Sequence, residues 1–358
     1  PFAVESSLSG VQKNVGKANE LWYEREFTIP SKWKNNRVLL HFGAVDWKTD
    51  VWVNDVKVGR HTGGYTPFSF EITTALKNGS NKLIVKVWDP TNDGYQPRGK
   101  QVNKPEGIWY TPVTGIWQTV WLEPVPDKFI TQVKTTPNID INILNIEVAT
   151  NNFSASDRIE VKVMDGSKVV ATAQSINHLP VEIVMPDQVK LWSPDSPFLY
   201  DLEISLWSGT KQIDKVKSYA AMRKYSIKRD ENGIVRLQLN NKNLFQFGPL
   251  DQGWWPDGLY TAPTDEALKF DIQKTKDFGF NMIRKHVKVE PARWYTYCDR
   301  LGMIVWQDMP SGDGGPQWQP HQYFSGLEWL RSPESEANFR KEWKEIIDFL
   351  YSNPCIGV

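Results

Sequence analysis

Three short apolar runs of strand type, Leu244–Phe247, Asn281–Arg284 and Met303–Gln307, alternate with helical spacing in the last third of the chain. After the first run, Leu268, Ile272 and Phe278 share a face, and Gly279 follows as a helix stop. After the second, Pro291 opens a helix with Trp294, Cys298 and Leu301 on its inner face, closed by Gly302. Asp277-Phe278-Gly279-Phe280 and Arg300-Leu301-Gly302-Met303 each turn at glycine into the next strand. A third helix is predicted from about Ser335, with Phe339, Trp343, Ile346 and Leu350 at helical spacing. It stops at Asn353-Pro354, and Ile356-Gly357-Val358 opens a fourth strand. Such a βα repeat feeds a parallel sheet. A (β/α)8 TIM barrel takes eight units and about 250 residues, whereas residues 229–358 hold three units and the start of a fourth. The expectation is an incomplete barrel, interrupted in its fourth strand. Its unpaired edges should leave the isolated polypeptide poorly soluble.

Upstream the period changes from helical to two. Residues 1–125 read as a jelly-roll β-sandwich, with strands at Leu21–Ile29, Val38–Phe42, Asp50–Val53, Phe68–Ile72, Lys82–Trp88 and Thr119–Leu122. Asn54-Asp55 and Asn78-Gly79 supply turns. Pro90–Pro112 is a long loop carrying Tyr95, Trp109 and Tyr110, a length and composition expected of a functional segment. Glu123-Pro124-Val125-Pro126 reads as a linker. Residues 126–228 give a second sandwich of immunoglobulin-like type, disulfide-free, with strands at Ile143–Thr150, Ile159–Met164, Val169–Ala173 and Phe198–Leu206. Its Leu191-Trp192-Ser193-Pro194 reads as a packing corner, and the domain as a spacer.

Composition narrows the function. The 42 basic and 42 acidic residues cancel, so nothing matches the basic stripe that nucleic acid demands. No apolar run reaches the length of a membrane span. Cys298 and Cys355 are the only cysteines and read as core thiols. Seventeen tryptophans exceed what a core needs and suit stacking on pyranose C–H faces. No metal-ligand cluster, phosphate loop or nucleophile elbow is present, and no cofactor is expected. Asn78-Gly79-Ser80 and Asn152-Phe153-Ser154 match the glycosylation sequon.

In a barrel, working residues sit where strands end and the following loops begin. That rule selects Asp251 and Trp255 after the first run, Arg284 and His286 after the second, and Asp308 after the third. Asp308 ranks first, because a lone carboxylate after a buried strand needs partners. Glu290 beside Pro291 reads equally as a helix N-terminal acid. The long loop from Asp308 to about Pro333 carries Trp318, His321, Tyr323 and Trp329 and reads either as a wall over a pocket or as a self-packed surface loop.

These residues resemble glycoside hydrolase family 2, the family of β-galactosidase, β-mannosidase and β-glucuronidase, across essentially the whole chain. Phe42-Gly43-Ala44-Val45-Asp46, Val51-Trp52-Val53-Asn54 and Gly115–Leu122 resemble its sugar-binding domain. Leu191–Pro194 with Leu199-Tyr200 resembles its middle domain. Phe280–Arg284, Cys298–Gly302 and Val305–Asp308 resemble its barrel. The resemblance implies a retaining exo-β-glycosidase, β-galactosidase-like, using two carboxylates about 5–5.5 Å apart. By that resemblance the acid/base follows strand four and the nucleophile follows strand seven, so both are expected beyond Val358, and no catalytic residue is assigned here. Arg284 matches the family's strand-two arginine and Asp308 its strand-three carboxylate, both on the substrate side. His286 departs from the usual Ser-His-Tyr-Pro by a shift of register. Trp109 stands where β-galactosidases often carry a substrate-binding Asp, and Trp306-Gln307-Asp308 leans towards β-mannosidase-like members. The expected partner is a glycoside or oligosaccharide, with a homo-oligomer as an open alternative; a periplasmic or secreted home follows only by analogy. The competing class is a non-catalytic carbohydrate-binding or scaffolding protein.

Overall fold

The computed structural model describes residues 1–176, 179–313, 317–318 and 329–358, with backbone alone at 317, 318 and 329. The aromatic loop residues Trp318, His321, Tyr323 and Trp329 therefore lie outside the described side chains.

Alternation builds residues 21–125 into two antiparallel sheets around one core. One sheet orders Leu21–Thr28, Ser80–Trp88, Lys48–Val53 and Val56–Thr62; the other orders Phe68–Glu71, Arg37–Phe42 and Val120–Val125. Arg37–Phe42 turns every second residue inward, so Val38, Leu40 and Phe42 meet Val51, Val53, Val85 and Val87 from the opposite sheet. The Asn54-Asp55 turn uses two residues with φ of 49° and 68°, the left-handed pair that a two-residue hairpin demands. The expected linker at Glu123–Pro126 is instead mostly strand, with Pro124 opposite Val38 and Val125 opposite Arg37. Proline is tolerated there because the strand is outermost in its sheet. Val38 also directs its own N–H to Thr73 Oγ1 and its carbonyl to the Ile72 N–H, so it asks nothing of Pro124.

Residues 130–220 form a second two-sheet sandwich. Ile130–Asn138, Ile143–Thr150 and Val181–Val184 make one sheet; Lys168–Ile176, Asp157–Asp165, Tyr200–Ser208 and Lys211–Ala220 make the other. Leu144, Ile146, Val161, Val163, Leu202 and Ile204 fill the space between them. Trp192 faces away from that core. It is fully buried against the third segment, and its indole N–H donates to the Asp299 carbonyl at 2.7 Å, which is what a packing corner should do.

In the third segment Leu250–Asp251, Met282–Lys285 and Ile304–Gln307 lie side by side in parallel. Helices α1 (Asp265–Asp277) and α2 (Ala292–Leu301) connect them. Thr264 caps α1 by accepting from the Ala267 N–H, and Gly302 ends α2 in the left-handed region at φ 73°. After α3 (Pro333–Leu350), Val305 bonds to Cys355 and Gly357 and bridges Ile356 in parallel, at the position predicted for a further strand.

Three further expectations need correction. Leu244–Phe247 is not a strand; Phe245 and Phe247 are exposed, and the ladder begins only at Leu250. Gly248 lies so close to the Met282 carbonyl that a Cβ would stand 1.6 Å from its oxygen, and Pro249 has no N–H to donate. Asn281 fills the gap by bonding Phe245 and Phe247 with its side-chain amide. Phe278 is exposed as the residue just past α1, not part of its inner face. On α3 the inner face is Ser335, Glu342, Ile346 and Leu350, while Trp343 is exposed. The helix is turned because its first half docks on polar groups of the first sandwich: Trp47 Nε1 donates to Glu342 Oε1 at 2.9 Å and Lys341 Nζ to the Thr62 carbonyl at 2.7 Å.

The three segments share one buried cluster. Tyr65 and Trp117 come from the first, Trp192 from the second, and Ile283, Trp294 and Ile304 from the third. Near this joint, burial pushes Glu5 and Glu342 up from an ordinary 4.5 to about 7, and Asp89 from 3.8 to about 6. Each carboxyl is held above its unfolded value. Its contribution is complete below that value and is lost as pH rises through the folded one. The unfolding free energy should therefore fall between pH 5 and pH 8, by about 1–3 kcal/mol per group, read as a lowered urea midpoint. Glu342→Gln, which keeps an acceptor for Trp47, should flatten the slope. A midpoint that rises with pH over this window would contradict it.

Candidate functional site

Period-two alternation decides which strand-end residues can meet. In the parallel ladder Leu250, Arg284 and Trp306 are one row, and Asp251, Lys285 and Gln307 are the next, so the rows project from opposite faces of the sheet. Asp308 follows Gln307 and returns to the Arg284 face.

On that face Arg284 holds Asp308 in a two-point pair, Nε to Oδ1 at 3.0 Å and Nη2 to Oδ2 at 2.9 Å. His286 Nδ1 lies 2.6 Å from the same Oδ2. Burial alone would raise the Asp308 pKa, but the hydrogen bonds and charges of Arg284 and His286 outweigh it and hold the carboxyl below its ordinary value. The Arg284 guanidinium is in turn raised by Asp308 and stays nearly half exposed. An ionised carboxylate fixed by two donors, with unused N–H groups open to solvent, is suited to hydrogen-bonding a polyhydroxylated ligand.

Asp251, expected at the same mouth, belongs to the opposite face. Its Oδ2 accepts from Lys285 Nζ at 2.6 Å, and its Oδ1 from the Gly253 N–H at 2.7 Å. Lys285 also reaches Glu290 Oε1 at 2.9 Å, and Lys288 reaches that oxygen at 3.0 Å and the Gly253 and Tyr260 carbonyls at 2.6 and 2.8 Å. Both lysines and Glu290 are sealed from water. Burial would raise the Asp251 pKa, but the Lys285 charge and hydrogen bond keep it low. Lys285 is raised because its two carboxylates overcome burial; Lys288 is lowered because burial overcomes Glu290. Gly253 has no room for a side chain, since a Cβ would stand 2.3 Å from Glu290 Oε1. Sequence reasoning passed over Lys285 and Lys288. The available signal was a pair of lysines just after the apolar Met282-Ile283 of the strand, with an acid, Glu290, close behind.

The loop of the first sandwich comes to the same strand ends. Arg98 and Gly99 both donate their N–H to the Ser311 carbonyl at 2.8 Å, and Pro97 bridges Gly312. Trp109 is partly exposed, with the Arg98 guanidinium 5.7 Å from its ring centre. Tyr110 stacks on Trp254 at 4.4 Å and 13°. Trp255, half-buried, leaves its indole N–H without a partner, as does Trp254. A cavity of about 570 Å³ lies against this loop, lined by Tyr110, Asp251, Gln252, Trp254 and Trp255 and by α1; Arg284, His286 and Asp308 are outside its lining. Among the described residues no group of three or more His, Cys, Asp or Glu is placed to hold a metal.

The two faces should respond differently to substitution. Glu290→Gln leaves two buried ammonium groups facing one carboxylate and should cost about 3–5 kcal/mol, read as a lowered urea midpoint. Asp308→Asn, at a partly open pair, should cost under about 1 kcal/mol. Equal effects would refute the division into a buried charge network and a partly open one.

Comparison with known proteins accords with this geometry. Residues 10–126 match the glycosyl hydrolases family 2 sugar binding domain, and residues 128–223 match glycosyl hydrolases family 2. A putative β-glucuronidase of Formosa agariphila is 27% identical over 98% of this chain and 40% of its own length. A β-galactosidase of Thermoanaerobacter pseudethanolicus is 26% identical over 94% of this chain and 43% of its own. A solved β-glucuronidase of Ruminococcus gnavus, in complex with D-glucuronic acid, shares the fold with a TM-score of 0.77 at 19% identity, covering 96% of this chain and 57% of that one. The chain thus spans less than half the length of these two curated relatives. With both sandwiches matched and the strand ends arranged as described, the chain belongs to glycosyl hydrolases family 2.

Proposed function

We propose that this chain is part of a retaining β-glycosidase, organised as a jelly-roll domain (1–125), an immunoglobulin-like domain (126–228) and the first units of a (β/α)8 barrel (229–358). The observation that carries the reading is the Arg284–Asp308–His286 cluster, assembled from the ends of two adjacent parallel strands. A scaffold or spacer has no need of a partly buried carboxylate held by two donors at that place. The βα order and the parallel approach of Ile356 to Val305 support the barrel. In this reading Arg284, His286 and Asp308 bind sugar hydroxyls, Trp109 and Trp255 offer ring faces, and Asp251 positions the strand ends through Lys285. The catalytic carboxylates are supplied by residues outside these 358.

Relatives bearing the names β-galactosidase and β-glucuronidase support hydrolysis of a terminal β-linked sugar and leave two sugar classes open. The test is hydrolysis of nitrophenyl β-galactoside, β-glucuronide, β-mannoside and β-glucoside, by this polypeptide and by a form extended to the length of its relatives. Only the extended form should cleave, and Asp308→Asn in it should lower kcat/KM by about 10²-fold or more. Cleavage by the 358-residue chain itself would overturn the assignment and make Asp308, Glu290 and Asp251 the first residues to replace.

A further inference from the structure

The chain carries two Asn-Gly dipeptides, Asn78-Gly79 and Asn232-Gly233, that neither the cores nor the candidate site uses. Both lie in exposed turns. Both glycines have positive φ, 84° and 75°, with open space where a Cβ would stand. A glycine after asparagine leaves the peptide nitrogen unshielded, because no side chain crowds the approach of the asparagine amide. By sequence and by sterics the two are equivalent. Their hydrogen bonding separates them.

Gly233 sits in a closed turn. Its N–H donates to the Asp230 carbonyl at 2.9 Å, and its own carbonyl accepts from Arg229 Nη1 at 2.7 Å. Asp230 Oδ1 takes the N–H groups of Asn232 and Ile234 at 2.9 Å each. The peptide nitrogen is thus pinned at a carbonyl, and the residues before and after it are held by one carboxylate. The turn at Gly79 is latched from the other side. The buried Asn81 side chain accepts from the Lys77 N–H at 2.8 Å and donates to the Lys77 and Gly79 carbonyls at 3.1 Å each. That latch engages the carbonyls, and the Gly79 N–H makes no hydrogen bond among the described residues.

We propose that Asn78 is a site of self-modification, with water as the only co-reactant. The Gly79 nitrogen, after losing its proton to solvent base, forms a bond to Asn78 Cγ, and the Cγ–Nδ2 bond breaks with release of ammonia. The five-membered imide so formed takes up water. Opening at Cγ gives aspartate; opening at the main-chain carbonyl gives isoaspartate, whose backbone runs through Cγ. Either product puts a carboxylate where a neutral amide stood, in a chain whose 42 basic and 42 acidic residues otherwise cancel. The isoaspartyl product also lengthens the main chain between Lys77 and Gly79, the two residues that Asn81 latches. Asn232 has the same chemistry open to it but must first free the Gly233 N–H from Asp230.

The test is peptide mapping by mass spectrometry of the 358-residue chain, incubated at neutral and at mildly alkaline pH, with isoaspartate read separately by enzymatic methyl transfer to its carboxylate. The Asn78 peptide should gain the mass difference between OH and NH2, faster at the higher pH, and the intact protein should move to a lower isoelectric point. Asn232 should react about tenfold more slowly, the factor that opening one backbone hydrogen bond first imposes. In concentrated urea the two rates should converge. Asp230→Ala, which loosens the second turn, should speed Asn232 and leave Asn78 unchanged. Asn78→Gln, whose longer side chain closes a less favourable ring, should abolish the first acidic species to appear. No gain at Asn78, equal rates in the folded protein, or a difference that persists in urea overturns the proposal.

Discussion

Two lysines and one carboxylate sealed behind the parallel strands, with the partly exposed Asp251 at their edge, determine the orientation of everything in front of them. An ammonium group cut off from water has to find a carboxylate, and Lys285 finds two, from the end of the preceding strand and from Glu290, just ahead of the Pro291 that caps α2. That requirement draws Asp251 and Glu290 together, forbids a side chain at Gly253, and ties the first and second strands to the start of the helix. Gln307 extends the tie to the third strand by donating to the Lys288 carbonyl and accepting from Tyr295. With Lys285 held to the rear, alternation leaves Arg284 and His286 only the front, where Asp308 meets them. The Arg284–Asp308–His286 cluster is thus positioned by a charge balance it does not touch.

Where the physics is local, the sequence was a sufficient guide. The strand at Ile143–Thr150 lies where its alternation places it, the Asn54-Asp55 turn has the backbone its residues favour, and α2 lies between Pro291 and Gly302 as its punctuation implies. Where distant groups compete, it was not. Leu244–Phe247 has the composition of a strand, but the following Gly-Pro pair interrupts the ladder and leaves two phenylalanines exposed. Trp343 is the more apolar choice for the inner face of α3, yet Glu342 takes that face because Trp47, far away in sequence, supplies an indole N–H. Asp251 was legible as a strand-end carboxylate but not as a rear-facing one, since its direction depends on the register with Lys285. Arg284, His286 and Asp308 were legible as a set because each lies at or just past the end of a strand, and no long-range partner was needed to find them.

The length and aromatic content of the Pro90–Pro112 loop marked it as functional, but nothing local announced where it would go. Its destination is encoded in a backbone fit rather than a side-chain pattern: a glycine with no space for a Cβ against one carbonyl, and two consecutive N–H groups on another. Such a seat is rigid, because sliding the loop would strip the Ser311 carbonyl of both donors or drive Gly99 into Val287. A side chain presented from it, such as Arg98 over the Trp109 ring, is pre-organised.

Val287 is where the two faces of the site and the visiting loop converge. It is β-branched yet adopts φ 54°, a conformation that costs on the order of 1–3 kcal/mol and persists only where the surroundings impose it. Strict alternation past Lys285 would place His286 forward, Val287 back and Lys288 forward again. Lys288 instead joins Lys285 at the rear, sharing Glu290 Oε1. The left-handed turn at Val287 reverses the parity of the chain, so that His286 can serve the front while both lysines flank it in the rear network. It also aims the Val287 carbonyl at Gly99. One strained residue thus satisfies three demands that a regular strand end could not meet together, which is a physical reason for the strain to be retained.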